Sequence, residues 1–364
     1  MSEQFSDQGG AATMEPNMLR RWLTSQVMTR AADPERFVRN RKRIENLRKI
    51  KRSGHVVEYF HQIEDGYSHL AAQVLKALSE RYDIELKCHL VTGPKAENLP
   101  EPELLLQLSR YDASLVAPHY GLRFPDHEIT PSRDLCQKAK AILSAQNPSR
   151  FVDIAGEVGE ALWSCHSERL DELSKSFGAA SEREIHLCHN EGDARIKKLK
   201  HYSGAMFYYG GEWYWGVDRL YHLEKRLIGL GLDRTPGRQL IAPRPDIQFG
   251  TLKDDGSLTL EIYPSLRSPY TAISFDRSLE LAKSKGVNLL VKPVLPMVMR
   301  GVPLTREKGF YVFTDAAREA EALSSNFGKF YDPIGEPVRQ CFSLYPWACD
   351  QGRGNELISS FLCC

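Results

Sequence analysis

Apolar positions fall into two rhythms along the chain, and the order of those rhythms occurs twice. His55–Phe60 (HVVEYF) is a β-rich run, Tyr67–Tyr82 places Leu70, Val74, Leu75 and Leu78 at helical spacing, and Ile84–Val91 is strand-like again. Strand, helix and strand within about 36 residues predict a βαβ unit with parallel strands. The same order returns over Thr259–Tyr263, Tyr270–Ser284 and Val287–Val294. Behind the first unit a long helical region runs from about Pro102 to Lys200, including Ile154–Trp163 and Ser167–Phe177. Ala205–Tyr209, a Gly210-Gly211 turn and Trp213–Trp215 then read as a hairpin. A helix over Val217–Ile228 follows, ended by Gly229 and Gly231. Upstream, Pro16 to about Arg52 reads as one or two basic amphipathic helices, and residues 1–16 as a small polar tail.

The two runs superimpose without a gap. Laying His55–Phe124 over Leu258–Phe327 gives a constant offset of 203 positions. Glu58 then meets Glu261, Tyr67 meets Tyr270, Leu78 meets Leu281, Asp112-Ala113 meets Asp315-Ala316 and Phe124 meets Phe327. A fixed offset of this length implies duplication of a whole domain rather than a short solenoid repeat. The expected organisation is a helical extension (1–54), a first domain (55–235), a Pro- and Gly-rich linker (236–257) and a second domain (258–364). The second copy carries the βαβ unit and the start of the helical insertion, so position 364 corresponds to position 161 of the first. A parallel strand pair without its hairpin leaves one sheet edge open. Either another segment covers that edge or the chain is a truncated product.

Composition narrows the classes. With 364 residues, 42% hydrophobic, 26% charged and a net charge of +1, the chain reads as a globular protein of about two domains, with no polyanionic partner such as nucleic acid. The basic run from Arg36 to Arg52 is interleaved with apolar residues and reads as a solvated helix face. No stretch has the apolar length of a membrane span or a secretory signal, which makes a cytoplasmic location the expectation. The eight cysteines, including the vicinal Cys363-Cys364, form no framework. Cys165-His166 with His186 to His189 fits no zinc spacing, so no metal site is expected.

The β-α-β, helical insertion, β-β-α order is the thioredoxin layout with helices inserted in its middle. Two motifs give the chain a closer resemblance. Arg267-Ser268-Pro269-Tyr270 follows the first strand of copy two, and Gly211-Glu212-Trp213-Tyr214-Trp215-Gly216-Val217-Asp218-Arg219-Leu220 closes copy one. Both resemble the DsbA-like branch of the thioredoxin superfamily that holds 2-hydroxychromene-2-carboxylate isomerase and the kappa-class glutathione transferases. The resemblance implies an α/β fold of tandem thioredoxin-like domains with helical insertions, the second copy incomplete. It also implies a glutathione-linked isomerase, transferase or oxidoreductase acting on a small electrophilic, aromatic substrate. Neither copy has Cys-x-x-Cys, so dithiol exchange is not expected. By resemblance, Ser268 donates to the glutathione thiolate, Lys308 pairs with a glutathione carboxylate, and Pro269, Tyr270, Gly216, Asp218 and Arg219 contribute to its binding. Beside this stands a plainer reading: Ser268 is an N-cap with Pro269 at the first helical position, Lys308 is a solvated helix lysine, and Asp218 and Arg219 cap and pair locally.

Position by position, the copies differ where the chemistry lies. Ser268 is matched by Asp65, Pro269 by Gly66, Lys308 by Leu105 and Pro293 by Leu90. Ala205 stands where thioredoxin-like folds carry a cis-proline. Copy one thus reads as degenerate, and a non-catalytic binding or scaffold protein, with the domains paired within the chain or as a homo-oligomer, is the rival expectation.

Overall fold

The computed structural model describes residues 14–95, 98–125, 128–247, 250–325 and 327–363. Most of the expected polar tail and Cys364 lie outside them. The chain divides into two compact units, a central one (Arg41–Asp246) and a terminal one (Met1–Asn40 with Ile247–Cys364).

Two helices open the chain, α1 (Met18–Ala32) and α2 (Pro34–Ile50). Asn17 starts α1 by accepting from the Arg20 amide at 2.8 Å. Helix α2 buries no side chain, and the boundary between the units falls inside it.

The central unit continues with β1 (Val56–His61), α3 (Gly66–Ala72), α4 (Leu75–Arg81) and β2 (Glu85–Leu90). Five helices follow, α5 (Pro102–Val116), α6 (Arg133–Ser144), α7 (Pro148–Trp163), α8 (Ser167–Phe177) and α9 (Glu182–Lys198). Strands β3 (Met206–Tyr209) and β4 (Glu212–Trp215) and helix α10 (Leu220–Gly229) close it. The sheet order is β2-β1-β3-β4, with β1 parallel to β2 and antiparallel to β3. This mixed α/β arrangement is thioredoxin-like, with a helical insertion between β2 and β3.

The helix expected over Tyr67–Tyr82 is two helices, because the chain breaks at Gln73. That side chain bonds instead to the backbone of Arg123, accepting from its amide at 3.1 Å and donating to its carbonyl at 2.8 Å. The unit's core joins Tyr59, Leu70, Leu75, Leu78, Phe207 and Tyr214 from the sheet and its cover to Ile142, Ala155 and Leu170 of the insertion. The stretch after α10 is clasped onto this unit. Arg81 forks onto Asp233, and the fully buried Glu224 accepts from the Tyr82 hydroxyl and the amides of Ile241 and Ala242.

The terminal unit adds β5 (Thr259–Ile262), α11 (Pro269–Lys285), β6 (Asn288–Val291), α12 (Arg306–Ala322), α13 (Glu336–Asp350) and α14 (Gly354–Cys363). Strands β5 and β6 pair in parallel, and among the described residues no strand lies on the other edge of β5. Leu266, Phe275, Val291, Met299, Val338 and Ile358 form its core. Helix α1 belongs to this unit, packing against α12 through Ala31, Ala32, Phe313 and Ala317. No helix among the described residues is long and apolar enough to cross a membrane.

Candidate functional site

The corner between a first strand and the helix after it occurs once in each unit, and the two corners are built by equivalent bonds. In the terminal unit the Ser265 amide donates to the Thr271 hydroxyl at 3.4 Å, and the Ser268 amide donates to the Ser265 carbonyl at 3.0 Å. In the central unit the Gln62 amide donates to the Ser68 hydroxyl at 3.1 Å, and the Asp65 amide donates to the Gln62 carbonyl at 3.2 Å. Each position is displaced by 203 from its counterpart. Strand register agrees as well: Val56 pairs with Glu85 as Thr259 pairs with Asn288, and the Val91 amide donates to the His61 carbonyl as the Val294 amide donates to the Pro264 carbonyl, both at 2.9 Å.

A tyrosine in the first turn of each helix donates to an aspartate on a later one. Tyr67 bonds Asp112 at 2.7 Å, and Tyr270 bonds Asp315 at 2.8 Å. Asp315 is fully buried and also accepts from Arg318, at 3.1 Å. These pairs were visible in the sequence only as matched positions; nothing in the periodicity joins residues 45 apart.

The corners differ at the cap. Ser268 precedes α11, its hydroxyl oxygen accepts from the Thr271 amide at 3.3 Å, and Pro269 occupies the first helical position. An oxygen used as acceptor keeps its own proton to donate, here from the positive end of a helix. Asp65 caps α3 by accepting from the Tyr67 and Ser68 amides and, at 2.7 Å, from the Ser68 hydroxyl. Burial pushes the Asp65 carboxyl up to about 6 against the pull of its bonds to Ser68 and Tyr67; above that pH the ionised carboxylate has no proton to offer and repels an anion. Gly66 stands at the position of the proline, where a Cβ would sit 3.0 Å from the Phe124 ring and 3.1 Å from the Ala113 methyl.

Around Ser268 the chain is pinned from outside the repeat. The Arg267 guanidinium bonds Asp332 at 2.9 Å, and the Asp332 amide donates to Ser25 of α1 at 2.9 Å. Arg21 of α1 donates to the Asp332 carbonyl at 2.6 Å. All three of Arg21, Ser25 and Asp332 are buried. Sequence reading missed this brace, since only the tertiary structure brings position 21 to position 332. Lys308 lies in the first turn of α12, half-buried, and burial lowers its ammonium pKa. Its amide is capped by Thr305 at 3.3 Å.

Gly216, Asp218 and Arg219 lie in the other unit, after β4. The Gly216 amide donates to Ala205 at 2.8 Å, Asp218 and Arg219 pair at 2.5 Å, and the short turn they form packs on α3. Tyr67 meets Trp215 edge-on at 5.8 Å in the same place. Gly204 approaches so closely that a Cβ would fall 3.1 Å from the Ser68 hydroxyl. The peptide before Ala205 is trans, and Ala205 itself is left-handed (φ 55). The residues singled out from sequence therefore divide between units: Ser268, Pro269, Tyr270 and Lys308 in the terminal one, Gly216, Asp218 and Arg219 in the central one.

No protein-family model and no curated protein matches the chain. Among solved structures the chain is similar to a 2-hydroxychromene-2-carboxylate isomerase, with a TM-score of 0.38 and 17% identity over 48% of this chain and 96% of that one. Strand order and register, read directly, carry the fold assignment.

Proposed function

We propose that the two units arose by duplication and that the terminal unit binds glutathione, with its thiolate at the start of α11. The observation that carries the binding site is the Ser268 cap: its oxygen is occupied by the Thr271 amide, which leaves the hydroxyl proton for an anion. The matched bonds at a displacement of 203 support the duplication.

Bound glutathione would supply a soft sulfur nucleophile for a small electrophilic, aromatic substrate, as in an isomerase or transferase. Ser268 would stabilise the thiolate by a charge-assisted hydrogen bond. Lys308 would pair with a carboxylate of the peptide, and the Tyr270–Asp315 bond would hold the first turn of α11 in place. The central unit, with Asp65 at the equivalent cap, would be a structural or binding partner without this chemistry. One glutathione per chain is the expected stoichiometry.

Calorimetric titration of the full chain separates capping from thiolate binding, because Asp is a good N-cap that lacks the hydroxyl proton. Ser268→Asp should keep the thermal stability of the unit and weaken glutathione binding by about tenfold or more, the scale of one charge-assisted hydrogen bond. Equal binding by the wild type and Ser268→Asp, or no binding by either, would remove the glutathione reading and leave the scaffold reading.

A further inference from the structure

Four arginines are buried among the described residues, and three of them have a carboxylate. Arg21 pairs with Glu15 at 2.5 Å, Arg81 with Asp233 at 2.9 Å and Arg318 with Asp315 at 3.1 Å. The fourth, Arg110 of α5, is 6% exposed and has no acidic partner among the described residues. Its Nη1 donates to the Thr130 hydroxyl, and its Nε is buried without an acceptor. A guanidinium is always ionised, and an ion taken out of water without a counter-ion is costly.

Packing does not call for a cation here. A shift of 203 carries Arg110 onto Phe313 of α12, which is buried and meets Phe327 and Phe330 with ring centroids 5.7 and 4.7 Å away. The matched positions are thus filled once by an aromatic ring and once by a charge. Replacing a buried charge by an apolar group is often neutral or stabilising, so the arginine needs another reason.

Its unused donors say which. Bonding through Nη1 leaves the edge formed by Nε and Nη2. With that same edge Arg41 forks onto Glu212 at 2.7 and 2.8 Å, and Arg81 onto Asp233 at 3.1 and 2.9 Å. Arg195 does so onto Glu58, with both bonds at 2.6 Å. Two parallel N–H groups match two oxygens on one centre, as in a carboxylate or a phosphate. Thr130, whose oxygen accepts from Arg110, keeps its own proton as a third donor.

We propose that Arg110 and Thr130 bind a small oxyanion, a carboxylate or a phosphate, through the Nε–Nη2 edge of the guanidinium and the threonine hydroxyl. Both residues belong to the central unit, apart from the Ser268 cap, so the site stands independently of the glutathione reading.

Thermal unfolding of the full chain in sodium phosphate, acetate or chloride, at one pH and equal ionic strength, tests this. Phosphate, acetate or both should raise the wild-type midpoint above that in chloride, increasingly with concentration. Arg110→Met should fold in chloride and lose that response. General exclusion of phosphate from protein surfaces stabilises both proteins alike, so the difference between them is the reading. A specific response to phosphate alone, or to acetate alone, would assign the anion. Equilibrium dialysis with the same two anions reads binding without reference to stability. There Arg110→Lys, which keeps the charge but not the fork, should bind about tenfold more weakly or worse. Equal midpoints in all three salts would overturn the proposal. So would a response that Arg110→Met retains, or dialysis binding that Arg110→Lys leaves unchanged.

Discussion

Asp65 and Ser268 each cap the helix after a first strand with different proton inventories, and the proposed glutathione site turns on that difference. Ser268→Ala should cost about 1 kcal/mol through the lost cap, as well as weakening glutathione binding, whereas Ser268→Asp should show the binding loss alone. Lys308→Gln should weaken glutathione while leaving the ionisation of its thiol unchanged, because the amine is assigned to a carboxylate and not to sulfur. The tyrosine–aspartate pairs offer a graded contrast. Asp315 is fully buried and bonds both Tyr270 and Arg318, so Asp315→Ala should destabilise the terminal unit by roughly 2–3 kcal/mol. Asp112→Ala leaves behind one half-buried tyrosine hydroxyl, a loss of about 1 kcal/mol. Urea unfolding of the two variants reads the difference. Local chemistry of this kind was legible at Ser268, Pro269 and Asp65, where neighbouring residues write the cap. It was not legible at Asp332 or Arg21, whose roles come only from contacts far away in sequence.

Between residues and units, the strands carry the clearest consequence of the repeat. Strand β1 is paired on both edges, by β2 and β3, and β5 on one, by β6. Hydrogen exchange should therefore run faster at the amides of β5 than at those of β1, by about two orders of magnitude or more; equal protection would mean that something pairs the free edge in solution. Alternation of apolar residues was enough to place both βαβ runs and the Gly210-Gly211 hairpin, because period and turn chemistry are local properties. The break at Gln73 was hidden, since the apolar spacing of Leu70, Val74 and Leu78 runs straight through it. At the break the Val74 amide turns back to the Ala71 carbonyl at 3.2 Å, and the Gln73 side chain bonds the Arg123 backbone from 50 residues away.

At the scale of the whole chain, periodicity shows that α1 is a helix but not what it packs on. A segment next to the first repeat in sequence folds instead with the second, through Ser25, Arg21 and Asp332. Acid stability is a property of the central unit. His61 is buried on β1, next to the Tyr59 hydroxyl at 2.9 Å and facing His69 of α3 and His189 of α9; burial, aided by those two rings, pushes its pKa down to about 3. A base depressed in the fold takes up its proton on unfolding, so stability falls as pH drops from about 6.5 towards 3, by a few kcal/mol. Glu58 adds a lower limb. Burial alone would raise its carboxyl, but Arg195 and His89 more than offset this and hold it at about 2, so its contribution fades below about pH 4.5. His201, also pushed down to about 3 by burial, adds to the same limb as His61, and Asp65, pushed up to about 6, opposes it. His61→Gln should therefore make the upper limb shallower and spare the lower one in denaturation series taken at successive pH values.

Thiolate absorbance in the ultraviolet reports the proposed thiolate at Ser268 directly. Glutathione titrated with base in the presence of excess full chain should ionise at a lower pH than free glutathione, and Ser268→Asp should return the curve to that of the free peptide. An unshifted curve with the wild-type chain, or the same shift with Ser268→Asp, would contradict it.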